Sequence, residues 1–290
     1  MWATMTQCTD GYKRQICFPD TLDELFRLQQ QYPDAHLMAG GTDLLVTLRH
    51  GPQDKRTIIC LERIAELRRI DELDDGSVSI GATATFSTIA RNTLLQERYP
   101  LLTQAAATVG GPAIRNMASI GGNIVTASPA ADSLPALYLL DARLELRSVT
   151  GYRTVAMDAF ILGPRRTMLQ PAEVISRIIL PPATDWSIQR FEKVGRRKSL
   201  AIAVASLAAA LRLAADGSVA EARFAWGSVG PTVLRCAEAE QALIGKPLTE
   251  ESLNTAALLA QQAVQPIDDI RASAEYRRTV AGNLLLRLVV

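Results

Sequence analysis

The chain has 290 residues, 48% of them hydrophobic and 5% aromatic, with a formal net charge of +1. That length admits two domains of ordinary size. The even charge balance and sparse aromatics exclude an electrostatic or stacking platform for nucleic acid. Cys8, Cys17, Cys60 and Cys236 show no C-x-x-C spacing, so they read as unpaired thiols of a reducing compartment rather than a disulfide framework, a zinc site or an iron–sulfur site. His36 and His50 are too few for a histidine-rich metal centre. The opening MWATMTQCTDGYKRQ lacks the apolar core of a secretory signal. The most apolar run, residues 200–215, contains Arg212 and falls short of the roughly 20 residues that span a bilayer. A soluble, cytoplasmic protein is expected.

In chain order, PDTLDELFRLQQQ opens with Thr21 and, three residues later, Glu24, a capping box that predicts a helix. Residues 36–39 predict a short strand, Gly40 and Gly41 a tight turn, Thr42 onward a further element, and residues 56–61 a second buried strand, together a small α/β unit. Residues 74–85 predict a turn and a strand ending at Gly81, and residues 86–111 two helices separated at Pro100. DSLPALYLLDARLELRS predicts a helix leading into a strand near 143–147, and residues 173–181 another strand. Pro181, Pro182 and the polar ATDWS mark the expected domain boundary, with residues 1–180 as one domain (subdomains near 1–58 and 59–180) and 181–290 as the other. Beyond it, SIQRFEKVGRR, AIAVASLAAALRL and VAEARFAWGSV read as three strands, the second ambiguous with a helix. Helical patterns follow over 232–244, 249–264 and 273–288, with Tyr276 and Arg277 expected at the polar margin of the last.

Two double-glycine turns stand apart, Gly40-Gly41-Thr42 and Gly121-Gly122-Asn123, the second inside ASIGGNIVTASPAAD. Glycine weakens strands and helices alike, so a nearly uncharged stretch of bare backbone needs a reason. Without a Cβ, amide groups can approach a phosphate closely, and successive N–H groups form an anion-binding nest. Thr42, Ser119 and Thr126 add hydroxyls, while Asn123 and Asp132 offer an amide and a carboxylate to sugar or ribityl hydroxyls. The familiar nucleotide signatures are missing. LIGKPLT has Pro247 directly after its lysine, and no G-x-G-x-x-G follows a strand. Nor does either histidine lie near a nucleophile turn. The residues alone lead to a dinucleotide-like ligand, with any chemistry residing in a bound cofactor.

LMAGGTDLL, IRNMASIGGNIVTASPAADSLPAL and EYRRTVAGNLLLRLV together resemble the flavin-binding subunit of the molybdenum hydroxylases, the family of xanthine and carbon monoxide dehydrogenases. The resemblance covers essentially the whole chain. It implies an α+β protein: a vanillyl-alcohol-oxidase-type (PCMH-type) FAD-binding domain of two α/β subdomains, then a C-terminal domain with a three-stranded antiparallel sheet and a helical bundle. By motif, Leu37, Met38, Ala39, Gly40, Gly41, Thr42, Asp43 and Leu44, with Ser119, Ile120, Gly121, Gly122 and Asn123, would wrap the FAD pyrophosphate. Asn123, Thr126 and Asp132 would hold the ribityl region, and Lys193 falls in a motif with a flavin-contacting lysine. Ile175 and Leu200 sit at positions near the ring in relatives; for both, plain core packing stays open. Val109 stands where animal enzymes place an aromatic against adenine, and Ser199 where several relatives have Asp. The extra cysteines of the benzoyl-CoA-reductase branch are not here. The basic run GRRKS reads either as a solvated turn or as an attractor for a nicotinamide cofactor's phosphates.

The resemblance further implies partners: a molybdopterin-binding large subunit and a small subunit with 2Fe–2S clusters, assembled as a dimer of heterotrimers. Electrons would reach FAD from the clusters and leave to NAD⁺ or another acceptor, with a purine such as xanthine as favoured substrate of the whole enzyme. No catalytic acid or base and no metal ligand is expected in this chain. Two alternatives remain: a free-standing flavin oxidoreductase and a flavin-free assembly subunit.

Overall fold

The structure is a computed structural model that describes residues 7–11, 14–50, 56–197 and 201–289. Its first sheet holds β1 (Gln7–Gly11), β2 (Arg14–Phe18), β3 (His36–Met38) and β4 (Ile58–Cys60) in the order β1-β2-β4-β3. The last three strands of that order run parallel, and β1 pairs antiparallel with β2. Helix α1 (Leu22–Gln31) covers the sheet through Leu22, Leu25, Phe26 and Leu28. Thr21 caps it by accepting from the Glu24 amide at 3.2 Å, while the Glu24 carboxylate reaches back to the Asp20 amide at 2.9 Å. The predicted cap therefore forms, with its return arm one residue further out. Cys17 is disulfide-bonded, which corrects the reading of all four cysteines as unpaired thiols; it stands opposite Cys8 in the β1–β2 register, a neighbourhood that sequence spacing does not disclose. Cys60 and Cys236 are free and buried. The short helix α2 (Leu44–His50) follows the first glycine turn.

The second sheet is antiparallel, in the order β5-β6-β11-β7-β8, with β5 (Ile70–Glu72), β6 (Val78–Gly81), β7 (Arg143–Ser148), β8 (Gly151–Ala156) and β11 (Val174–Leu180). Between β8 and β11 lies a small hairpin, β9 (Ile161–Gly163) and β10 (Arg166–Thr167). Helices α3 (Phe86–Arg91), α4 (Thr93–Arg98), α5 (Pro100–Thr108), α6 (Pro112–Arg115), α7 (Ile120–Thr126), α8 (Ser133–Leu139) and α9 (Met157–Phe160) precede or pack on this sheet. Where two helices were expected before Gly111, there are three. Asn92 leaves helical geometry and accepts from the Leu95 amide at 3.0 Å, ending one helix and capping the next.

The third sheet is a three-stranded antiparallel meander: β12 (Ile188–Gly195), β13 (Ala203–Leu213) and β14 (Val219–Gly227). The alanine-rich β13, ambiguous in sequence, is a strand because it is buried on both faces at a period of two. Ala208 and Ala210 join the core shared with α5 and α8, whereas Ala205, Leu207, Ala209 and Leu211 join the core under the terminal helices. Those helices are α10 (Ala237–Gln241), α11 (Glu250–Ala263) and α12 (Ala274–Asn283), followed by a 3₁₀ turn, Leu285–Leu288. The first is shorter than predicted, since Leu234 pairs with Trp226 instead of entering the helix. Trp226 in turn donates its indole N–H to the Ala281 carbonyl at 3.0 Å, locking α12 onto the sheet.

Candidate functional site

A cavity of about 1130 Å³ runs between the first sheet, the α7 region and the edge of the third sheet where β13 begins and β14 ends. It exceeds the roughly 300–1,000 Å³ of ordinary small-molecule sites, which suits an extended dinucleotide. Leu37 to Leu44 all line it, as do Val109, Ser119, Gly121, Gly122, Asn123, Thr126 and Ile175. Ile120 does not; it is fully buried in the core. Leu200 and Ser199 lie outside the described residues.

The two glycine turns meet, but they are not alike. A Cβ on Gly40 would lie 1.7 Å from the Met117 carbonyl oxygen, so bare backbone there lets the first turn press against the chain leading into α7. Gly41 has φ +70°, open to glycine without strain. The amides of Gly40, Gly41, Thr42 and Asp43 donate to no protein acceptor among the described residues. The second turn is the first turn of helix α7, a correction to the picture of two equivalent nests. Its amides are spent within the fold: Ile120 to the Ala84 carbonyl, Gly121 to the Ala82 carbonyl, Gly122 to the Ser119 hydroxyl and Asn123 to the Ser119 carbonyl. Gly121 is explained by packing, because its Cβ would sit 2.7 Å from Ala82. Gly122 has only the Ser119 hydroxyl in its way, at 2.9 Å, so its bareness serves the cavity. Thr126 joins the turns by donating to the Asp43 carboxylate at 3.2 Å.

Asn123 accepts from the Ser133 hydroxyl at 2.7 Å, which leaves its amide nitrogen to donate elsewhere. Asp132 and Lys193 do not line the cavity; they pair at 2.5 Å behind it, with side chains 6% and 10% exposed. Lys193 comes from β12 and also donates to the Thr108 carbonyl at 3.0 Å, next to cavity-lining Val109. Burial pushes the Asp132 carboxyl up to about 6, against the pull of the Lys193 ammonium. Its Oδ1 is buried without a partner. Because the folded value exceeds the unfolded one, the folded chain binds the extra proton, and this contribution to stability is present in acid and lost as pH rises through about 6. Urea unfolding of the flavin-free chain should therefore show a loss of roughly 2–3 kcal/mol between about pH 4 and about pH 7 relative to Asp132→Asn. Parallel pH profiles for the two proteins would rule this out.

The far wall belongs to the third sheet and its helices: Ile202, Ala203, Ser228, Gly230, Pro231, Gln265, Ile267, Asp269, Arg271 and Arg277. Sequence reading missed these, and it misplaced Arg277, which is 4% exposed instead of marginal. Arg277 donates to the carbonyls of Val204 and Ser228 and to Asp269, at 2.9, 3.1 and 2.6 Å, since α12 enters the core across the strand ends. Burial opposes ionisation of Asp269, but the amides of Arg271 and Ala272 and the two guanidinium groups hold it down to about 2. Glu173, also on the lining, is clasped by Arg153 at 2.7 and 2.8 Å, and that contact holds its carboxyl below the usual range. A hairpin tip, Pro164 and Arg165, completes the rim.

Comparisons with known proteins agree with this geometry. Residues 12–183 match the family described as FAD binding domain in molybdopterin dehydrogenase, and residues 190–290 match the CO dehydrogenase flavoprotein C-terminal domain. The xanthine dehydrogenase FAD-binding subunit of Escherichia coli O157:H7 is 35% identical, covering 93% of this chain and 92% of the relative. The nicotinate dehydrogenase FAD-subunit of Eubacterium barkeri is 31% identical over 94% and 93%. Among solved structures, carbon monoxide dehydrogenase from Hydrogenophaga pseudoflava superposes with a TM-score of 0.87 at 33% identity, covering 94% of each chain. The unspent amides and the bare Gly122 fit the diphosphate of FAD, and the amide nitrogen of Asn123 fits its hydroxyls. This chain belongs to the FAD-binding medium-subunit family of the molybdenum hydroxylases, and is an oxidoreductase component.

Proposed function

We propose that this chain is the electron-transfer subunit of a xanthine dehydrogenase-like molybdenum hydroxylase in the cytoplasm. Its partners are a molybdopterin-binding large subunit and a 2Fe–2S small subunit, in a dimer of heterotrimers. FAD, when bound, supplies the exchange between one-electron delivery from the clusters and transfer to NAD⁺ or another acceptor. The observation that supports the reading is the turn of four unspent amides lining the same cavity as the bare Gly122. In this reading residues 1–180 form the FAD domain and residues 181–290 close the cavity from the other side. The amides of Gly40 to Asp43 take diphosphate oxygens, the Asn123 amide takes hydroxyls, and Ile175 supplies an apolar wall. Lys193 holds Asp132 in place. No residue of this chain need act as acid or base.

Substrate choice belongs to the large partner, with a purine favoured. Relatives named for xanthine, nicotinate and carbon monoxide are all 31–35% identical to this chain, as expected if it never touches the substrate. The test is purification of the chain with its native neighbours, a visible absorption spectrum, and chromatography of the released chromophore. Stoichiometric FAD together with one large and one small partner is the expected result. Flavin without partners would favour a free-standing oxidoreductase, and partners without flavin an assembly subunit.

A further inference from the structure

Pro164 and Arg165 form the tip of the β9–β10 hairpin, closed by the Gly163–Arg166 pair, and both line the cavity. Arg165 has φ +58°. Proline followed by a residue of positive φ is the pattern of a type II turn, whose second central place favours glycine or asparagine. An arginine held there is strained, and such strain is retained where a side chain has work to do. Packing does not explain it, because Arg165 is exposed. The tip is nonetheless fixed: the Arg165 amide donates to the Ala127 carbonyl at 3.1 Å, on the residue that ends α7. Helix α7 is the one that carries Gly122, Asn123 and Thr126.

Of the other charges on the cavity wall, only the Asp43 carboxylate lacks a counter-ion among the described residues. Arg271 and Arg277 are both paired with Asp269, and Glu173 is paired with Arg153. Among the described residues, Arg165 is the cavity-lining cation with no carboxylate partner. The turn of unspent amides offers only dipoles, and it ends in the carboxylate of Asp43. A diphosphate seated there needs a positive charge from elsewhere.

We infer that Arg165 supplies the countercharge for the diphosphate of FAD, reaching it from the hairpin tip across the end of α7. This rests on the FAD reading above. It assigns a binding role to a residue outside both glycine turns and explains why arginine occupies a place suited to glycine.

The test uses the full chain freed of flavin, titrated with FAD and separately with riboflavin, which lacks the diphosphate, at low and high salt. Arg165→Ala and Arg165→Gly should each weaken FAD binding about tenfold at low salt. The deficit should shrink at high salt, and riboflavin binding should be unchanged. Without ligand, Arg165→Gly should melt above the wild type, since glycine relieves the strained turn. FAD affinities equal to the wild type's in both variants would overturn the inference. Equal weakening of FAD and riboflavin would also overturn it, by placing the arginine on the ring end of the ligand. A wild-type chain that binds no FAD would overturn the FAD reading, and this contact with it.

Discussion

A Gly40→Ala chain is expected to purify without flavin and to be destabilised by about 3 kcal/mol or more, whereas Gly122→Ala should keep its fold and lose affinity for FAD. The two substitutions add the same methyl group to the same cavity wall. At Gly40 the methyl would stand 1.7 Å from a backbone oxygen, that of Met117, where ordinary contact begins near 3.4 Å. No rotamer change relieves a clash between two stretches of main chain. Either the Leu37–Leu44 turn or the segment entering α7 must shift by more than an ångström, which parts the unspent amides from the face of α7. At Gly122 the obstacle is the Ser119 hydroxyl at 2.9 Å, on a side chain that can rotate, and alanine in a helix is favoured over glycine by about 1 kcal/mol. Stability should therefore change little, while the methyl occupies space reserved for the ligand. Urea unfolding without flavin and fluorescence titration with FAD separate the two effects. If Gly122→Ala bound FAD as tightly as the wild type, the cavity would have to seat its ligand away from α7.

That pair of glycines also marks how far the sequence could be read. The unusual bareness of ASIGGNIVTASPAAD was visible at once, and both turns line one cavity. What could not be read was the reason for each glycine. Gly40 and Gly121 are bare because Met117 and Ala82, distant in sequence, press on them, and Gly41 because of its φ. Only Gly122 is left to the ligand. Local signals with local causes were legible: the Thr21 cap, the strand ending at Gly81, and the strand–turn–strand order of the third sheet. Signals that depend on tertiary neighbours were not. The alanine run of β13 needed two covering layers to declare itself a strand. Arg277 looks like a helix-margin residue until Asp269 and two strand carbonyls surround it. The β9–β10 hairpin carries a turn signal in Gly163-Pro164, but its strained place is filled by Arg165 where a glycine would have announced the turn type.

Lys193→Met is expected to cost about 3–5 kcal/mol near neutral pH, since it leaves the Asp132 carboxylate buried and unpaired. The penalty should shrink as the pH falls. Asp132 already sits at about 6 with the ammonium beside it, because burial raises it. Without the lysine its value climbs further, and in acid the carboxyl escapes the cost by taking up a proton. A second substitution distinguishes a pair that matters from a side chain that merely fills space. In Lys193→Met with Asp132→Leu no charge remains to be desolvated, so most of the lost stability should return. FAD binding should not return with it. The polar tie behind the cavity wall is then still missing. The pair also joins β12 of the third sheet to the end of α5 through the Thr108 carbonyl, beside Val109 on the cavity wall. A double-mutant cycle in urea at about pH 7 and about pH 5, with FAD titrations of the same four proteins, measures both quantities. A coupling energy near zero at both pH values would mean that the ion pair does not hold the seam. Full recovery of FAD affinity in the double variant would mean that the pair does not shape the cavity wall.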